Sequence, residues 1–143
     1  MNKIYIFLLI GLLMVSCSSS VENDNCKNIP NVGFSVPIDL RLPQYIELLS
    51  PAKAVPVYDG GYKGIIVVNV GSGFRAWDAC DPNHPPSNSC MPMEISGIEA
   101  ECNCGDGNIY SLINGLILNN DELSCPLKEY RVEQNGDMLY ISN

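Results

Sequence analysis

The sequence has 143 residues, with 8 basic and 16 acidic side chains and a formal net charge of −8. A negative chain whose acidic residues are scattered is unsuited to binding nucleic acid or anionic lipid directly. The length is that of one domain with its own core, and seven cysteines are the unusual feature of the composition.

The N-terminus reads as an export signal. Lys3 precedes an apolar run over residues 4–15, which at about a dozen residues is shorter than the ~20 needed to span a bilayer as a helix. The following Ser16-Cys17 resembles the end of a bacterial lipobox, which implies cleavage before Cys17 and acylation of its thiol, with palmitate for example. We therefore predict a signal peptide over 1–16 and a polar tether over 17–31, anchored by lipid in the cell envelope and facing the periplasm or the exterior.

Six cysteines remain once Cys17 carries lipid, and an even number in an exported chain predicts up to three disulfides. Spacing alone cannot choose among the fifteen possible pairings. Cys26 either pairs with Cys125, which we favour, or stays free in the tether. The six are Cys26, Cys80, Cys90, Cys102, Cys104 and Cys125.

The first half of the predicted domain alternates strands with turns. Residues 32–40 have apolar side chains at every second position, and Pro37 marks that strand as an edge strand. Residues 42–49 predict one or two helical turns. The continuous β-branched run over 64–70 predicts a strand covered on both faces, and residues 74–79 predict the strand that leads to Cys80.

Two Asn-Gly pairs predict hairpins in the second half. Asn114-Gly115 supplies the two positive φ values of a type I′ turn, and Asn135-Gly136 is the same signal. With eight or nine short strands and almost no helix, residues 32–143 predict a single all-β domain, an antiparallel sandwich or small barrel.

Two cysteine-bearing loops contain the residues that are candidates for a functional site. The first runs from Cys80 to Cys90 and contains the only histidine, His84, while the second runs from Cys102 to Gly107. Both are rich in Pro, Asn, Ser, Asp or Gly, which excludes a helix or a central strand. No nucleophile with a partner base can be assembled, so we expect the protein not to be an enzyme.

The order of strands, cysteine-bearing loops and hairpins over residues 55–142 resembles that of the Rieske iron–sulfur domain. In that family each loop gives one Cys and one His to a 2Fe–2S cluster, and some members add one Cys per loop that together form a disulfide. The resemblance implies that Cys80 and Cys102 match the cluster cysteines. It implies that Cys90 and Cys104 match the disulfide cysteines.

The histidine positions depart from the family pattern. Gly105 stands where the second histidine is usual, and His84 lies four residues after Cys80 instead of two. The iron that needs two imidazoles has at most one, so the resemblance implies a degenerate site without a cluster. His84 itself, in a polar loop, is expected to be solvated.

Without a cluster, the resemblance implies a Cys80–Cys102 disulfide beside a Cys90–Cys104 disulfide, and the crossed pairing of these four cysteines stays open. The protein then has a binding or structural role, a membrane anchor, an unknown protein partner and no cofactor.

Two alternatives keep a metal. One is an electron carrier with an atypical 2Fe–2S cluster on Cys80, His84 and Cys102, where a carboxylate of Asp81 or Asp106 replaces an imidazole. The other is a structural zinc site. Its ligands would be Cys80, His84, Cys102 and Cys104.

Overall fold

The computed structural model describes residues 26–85 and 92–143, and it is nearly all β. The predicted signal peptide, the lipidation site Cys17 and the loop cysteine Cys90 lie outside the described residues. No helix in the described ranges is both long and apolar enough to cross a membrane. The elements in chain order are β1 (Ser35–Asp39), a 3-10 helix (Ile46–Leu49), β2 (Lys53–Val57), β3 (Ile65–Asn69), β4 (Phe74–Asp78), β5 (Glu94–Ser96), β6 (Glu99–Glu101), β7 (Ile109–Ser111), β8 (Glu129–Asn135) and β9 (Met138–Ser142).

Six strands form an antiparallel sheet in the order β1-β9-β8-β4-β3-β2. The strand β1 lies at one edge, which confirms the prediction from Pro37, although the strand begins at Ser35 rather than at residue 32. At the opposite edge β2 contains Pro56. Proline has no backbone N–H, and an edge strand can lack that hydrogen-bond donor without losing a bond to a neighbouring strand. The predicted all-β class is therefore confirmed.

The strand β3 is buried on both faces, as its continuous apolar run predicts. Ile65 and Val67 face one core with side chains of β1, β8 and β9, while Ile66 and Val68 face a second core. That second core is closed by the small sheet β5-β6-β7, which contributes Ala100 and other side chains. The two site loops start beside this second core, because β4 of the large sheet leads into the first loop and β6 and β7 of the small sheet flank the second.

The first Asn-Gly hairpin has a different turn from the one predicted. The Gly115 N–H donates to the Ser111 carbonyl at 2.7 Å, so the loop is one residue longer than a type I′ turn requires. Gly115 has a φ of +76°. Asn114 does not have the positive φ that a type I′ turn requires, because Ala52 is the only described non-glycine residue with a positive φ. The Trp77 ring explains the change, since its Nε1 donates to the Leu112 carbonyl at 2.8 Å and fixes the loop against the core.

The second hairpin turns one residue later than predicted. Asn135 pairs with Met138 across the ladder, so the two loop residues are Gly136 and Asp137. Gly136 has a φ of +59°, and a single glycine with positive φ at the first loop position is typical of a type II′ turn. The prediction of Asn135-Gly136 as the turn was therefore wrong in register, although the hairpin itself is confirmed.

Candidate functional site

Cys80 and Cys102 are both buried and both free thiols. The predicted Cys80–Cys102 disulfide is therefore absent, and so is the crossed pairing. Each thiol hydrogen-bonds to a carboxylate: Cys80 to Asp78, and Cys102 to Asp106 and Asp81. Cys80 is thus bonded at the end of β4, whereas Cys102 is bonded to its own loop through Asp106 and to the first loop through Asp81.

Asp78, the last residue of β4, holds the first loop at its start. Its side chain is fully buried and accepts hydrogen bonds from the Tyr130 hydroxyl at 2.7 Å, the Tyr62 N–H at 2.7 Å and the Cys80 N–H at 2.8 Å. Burial first, and then the charge and hydrogen bond of Asp78, raise the pKa of the Cys80 thiol to about 12. Cys80 is consequently a protonated, structurally fixed thiol at neutral pH.

Asp81 is a second buried carboxylate, 2% exposed, inside the first loop. It accepts a hydrogen bond from the Tyr110 hydroxyl, a bond from Asn108 Nδ2 at 2.9 Å and one from the Asn83 N–H at 2.7 Å. Burial, followed by the hydrogen bond to Asp81, raises the pKa of Tyr110 above its ordinary value. Two segments of the chain, residues 81–83 and 108–110, therefore meet at this one carboxylate.

Asn83 ties the first loop to the region around Cys125. Its Nδ2 donates to the Tyr110 hydroxyl at 2.9 Å and to the Cys125 carbonyl at 2.8 Å, and its Oδ1 accepts from the Cys125 N–H at 3.2 Å. Cys125 is bonded to Cys26, which confirms the favoured pairing of these two cysteines. Ile29 is buried, so the last part of the predicted 17–31 tether contacts the domain.

His84 is not simply solvated, so that expectation was wrong. Its Nε2 makes a hydrogen bond with Asp106 Oδ2, and both side chains are only 29% exposed. Asp106 Oδ2 also accepts from Asn108 Nδ2 at 2.5 Å. Burial acts to raise the pKa of Asp106, but the hydrogen bonds from Cys102 and His84 outweigh it and lower that pKa.

The second-histidine position has no donor at all. Gly105 is exposed, has a φ of +94° and would place a Cβ with no neighbour within 4 Å. The neighbouring Cys104 is disulfide-bonded. Its pairing with Cys90 remains a prediction, because Cys90 lies outside the described residues.

The residues present do not fit the 2Fe–2S cluster that the family resemblance implies. Two thiols are available in Cys80 and Cys102, but the chain contains one imidazole where the cluster takes two. The predicted zinc set does not fit either. Cys104 is in a disulfide, and Cys80 is in neither of the two groups of potential ligands whose atoms come within 4.8 Å of one another.

Sequence reasoning missed the polar network that orients the loops. Asp78, Asn83, Asn108 and Tyr110 carry it, and none of them belongs to a recognisable spacing motif. The only signal was the polar character of the loops themselves. Trp77, at the end of β4, is buried.

Comparison with known proteins finds similar solved structures but no similar sequence family. No family model and no curated protein matches the sequence. The chain is similar to the solved complex of reduced oxygenase and oxidized ferredoxin in carbazole 1,9a-dioxygenase, at 20% identity and a TM-score of 0.44, over 65% of this chain and 82% of that one. It is similar to the Sphingomonas yanoikuyae B1 ferredoxin at 19% identity and a TM-score of 0.45, over 66% and 88% of the two chains.

A third similar structure is the terminal oxygenase of carbazole 1,9a-dioxygenase from Novosphingobium sp. KA1. The identity is 17% and the TM-score 0.47, over 82% of this chain but 31% of the oxygenase, so this chain spans about a third of that protein. The described residues of this chain form an all-β fold, the class that the resemblance of the sequence implies.

Proposed function

We propose that the protein is a cell-envelope lipoprotein whose Rieske-like domain carries no 2Fe–2S cluster and serves a binding or structural role, not an enzymatic one. The observation that supports this most directly is the second loop. Gly105 offers no ligand, and the only imidazole, His84, is paired with Asp106. An iron that requires two imidazoles has no second one in this chain.

The hydrogen bonding of the thiols supports the same proposal. Cys80 and Cys102 are each bonded to carboxylates, and both of their pKa values are raised, chiefly by burial. A thiol bonded in this way holds its proton, whereas an iron–sulfur cluster needs the thiolate. The raised pKa values of these two thiols therefore support the proposal of a domain without a cluster.

The rival function, an electron carrier with an atypical cluster, has one observation in its favour: both cysteines at the cluster positions are free. Iron and acid-labile sulfide in the purified protein, together with its visible absorption spectrum, decide between the two. We expect less than about a tenth of an equivalent of iron per chain after anaerobic reconstitution, which is clearly below a bound site. Stoichiometric iron and sulfide with a redox-active spectrum would overturn the proposal.

The lipid anchor requires its own experiment. The apolar run ending in Ser16-Cys17 supports lipidation, and the anchor would hold the domain on a membrane surface of the envelope. We expect metabolic labelling with a palmitate analogue in the wild-type protein and none in Cys17→Ala. A matched control is Cys26→Ala, which should keep the label. Labelling that survives Cys17→Ala would refute the anchor without touching the argument about the cluster.

A further inference from the structure

Four side chains of different chemistry converge between the two loops. Asp81 and His84 come from the first loop, and Cys102 and Asp106 come from the second. Each offers one ligand atom, and these atoms all lie within 4.8 Å of one another. The group combines two carboxylates, one imidazole and one thiol.

The spread of these atoms matches the coordination sphere of a single ion. Zinc bonds to oxygen, nitrogen and sulfur are about 2.0–2.3 Å long, so the ligands of one ion stand at most roughly 4.6 Å apart. All pairs of these ligand atoms lie within 4.8 Å of one another. His84 Nε2 and Asp106 Oδ2 are in direct hydrogen-bond contact, so these two side chains must move apart to admit an ion between them. Cys80, which the Rieske arrangement would require as a ligand, is not part of this group.

The ligand atoms are oriented by neighbours that are not ligands themselves. Asp81 is held by Tyr110 and Asn108, and the Asn108 amide bridges Asp81 to Asp106 at 2.9 Å and 2.5 Å. The Cys102 N–H donates to the Asn108 carbonyl at 2.8 Å, which closes the second loop on the same residue. Partners of this kind fix ligand orientation in known metal sites and contribute to affinity.

We infer that Asp81, His84, Cys102 and Asp106 bind one divalent cation of the zinc type. A thiolate and an imidazole disfavour Mg²⁺ and Ca²⁺, whereas a mixed set of sulfur, nitrogen and oxygen suits a borderline ion. On binding, the Cys102 thiol gives up its proton to solvent and forms a sulfur–metal bond. The proton in the hydrogen bond between His84 Nε2 and Asp106 is also released to solvent, and no oxidation state changes. The hydrogen bonds of Cys102 to the two carboxylates are replaced by bonds to the metal.

This site deepens the proposed binding role by naming its ligand class, and it rests on the same absence of a cluster. Cys102 is 3% exposed, so solvent oxidants reach its sulfur poorly. A free, buried thiol beside two carboxylates and an imidazole is thus available to a metal even in an exported protein.

The test is a titration of the purified mature protein with Zn²⁺ in competition with a chromophoric chelator, followed by substitution with Co²⁺. We expect one equivalent of Zn²⁺, and a thiolate-to-cobalt charge-transfer band in the Co²⁺ form. Cys102→Ser should abolish that band, and Asp106→Asn should weaken Zn²⁺ binding at least about tenfold, the lower end of what even an outer partner contributes. Thermal unfolding of each variant checks that it is folded.

Two matched variants separate this site from its alternatives. Cys80→Ser removes the other free thiol, and Asp121→Asn removes an exposed carboxylate outside the group, so both should bind Zn²⁺ like the wild type. The lone histidine gives a readout that does not depend on Cys102→Ser folding, because the His84 imidazole signal should shift in NMR on adding Zn²⁺.

The outcomes are distinct. Failure to bind Zn²⁺, or binding that is unchanged in Cys102→Ser and Asp106→Asn, would overturn this inference and leave the proposed function standing. Iron with acid-labile sulfide, lost in both Cys80→Ser and Cys102→Ser, would instead overturn the proposed function.

Discussion

Replacing Tyr110 with phenylalanine tests whether the Asp81 network organises the loops. Tyr110 is fully buried, its hydroxyl donates to Asp81, and it accepts from Asn83 Nδ2 at 2.9 Å. Tyr110→Phe keeps the ring in the second core and removes only the hydroxyl. Hydrogen bonds to charged groups contribute about 1.5–3 kcal/mol, and Asn83 keeps its bond to the Cys125 carbonyl. We therefore expect the free energy of unfolding to fall by about 2 kcal/mol.

Urea unfolding followed by the fluorescence of the single tryptophan measures this change. With a slope of about 2 kcal/mol per molar urea, the midpoint should fall by about 1 M. Tyr130→Phe is the matched control, because Tyr130 donates to the other buried carboxylate, Asp78, at 2.7 Å. It should destabilise the protein similarly but leave the NMR signal of His84 unchanged, whereas Tyr110→Phe should shift that signal.

A second control sets the baseline. Tyr58 is 86% exposed, so Tyr58→Phe should change stability by less than about 0.5 kcal/mol. If Tyr110→Phe also stays within that range while Tyr130→Phe is destabilised, the Asp81 network contributes nothing to stability. The reasoning that the two loops are organised around Asp81 would then be refuted.

Three further predictions concern other parts of the fold. Gly115→Ala should lower the free energy of unfolding, measured by urea titration, by about 2–4 kcal/mol. The φ of Gly115 is +76°, and the new Cβ would lie 2.7 Å from the Trp77 ring. A decrease below about 1 kcal/mol would contradict this prediction. Cys80 and Cys102 should resist iodoacetamide in the folded protein at pH 8 and react after unfolding. The reason is that burial raises the pKa of both thiols, and the thiolate is the nucleophile. Peptide mapping that finds both labelled in the native protein at the rate of an exposed thiol would refute this prediction. Cys125→Ala removes the disulfide to Cys26, whose two cysteines are 99 residues apart in sequence. It should lower the free energy of unfolding by about 4–5 kcal/mol. An unchanged melting curve would show that the crosslink is not formed.

The sequence predicted the features that local patterns determine. The run around Ile65 to Asn69 is continuous and β-branched, and a strand buried on both faces follows directly from it. Pro37 likewise predicts an edge strand, because proline cannot donate to a central ladder. The pairing of Cys26 with Cys125 was favoured because these two were left over after the loops were matched.

The site could not be predicted in the same way because its contacts are distant in sequence. His84 and Asp106 are 22 residues apart, and Asp81 and Tyr110 are 29 apart. Nothing in either segment indicates which polar side chain faces which. The Gly115 turn was also wrong for a long-range reason, since the bond from Trp77 to the Leu112 carbonyl overrides the local preference of Asn-Gly.

The carboxylates beside the two thiols bear on both proposals. Burial, together with Asp78 at Cys80 and with Asp106 and Asp81 at Cys102, keeps the thiols protonated, and only the thiolate attacks a disulfide or binds iron. A single divalent ion reverses that preference for Cys102, since its charge offsets the two carboxylates of Asp81 and Asp106 and stabilises the thiolate. Cys80 has no such partner group in the described residues, so it should remain a protonated thiol in both states. In the mononuclear site that we propose, two of the carboxylates that keep Cys102 protonated, Asp81 and Asp106, would thus become ligands beside its thiolate.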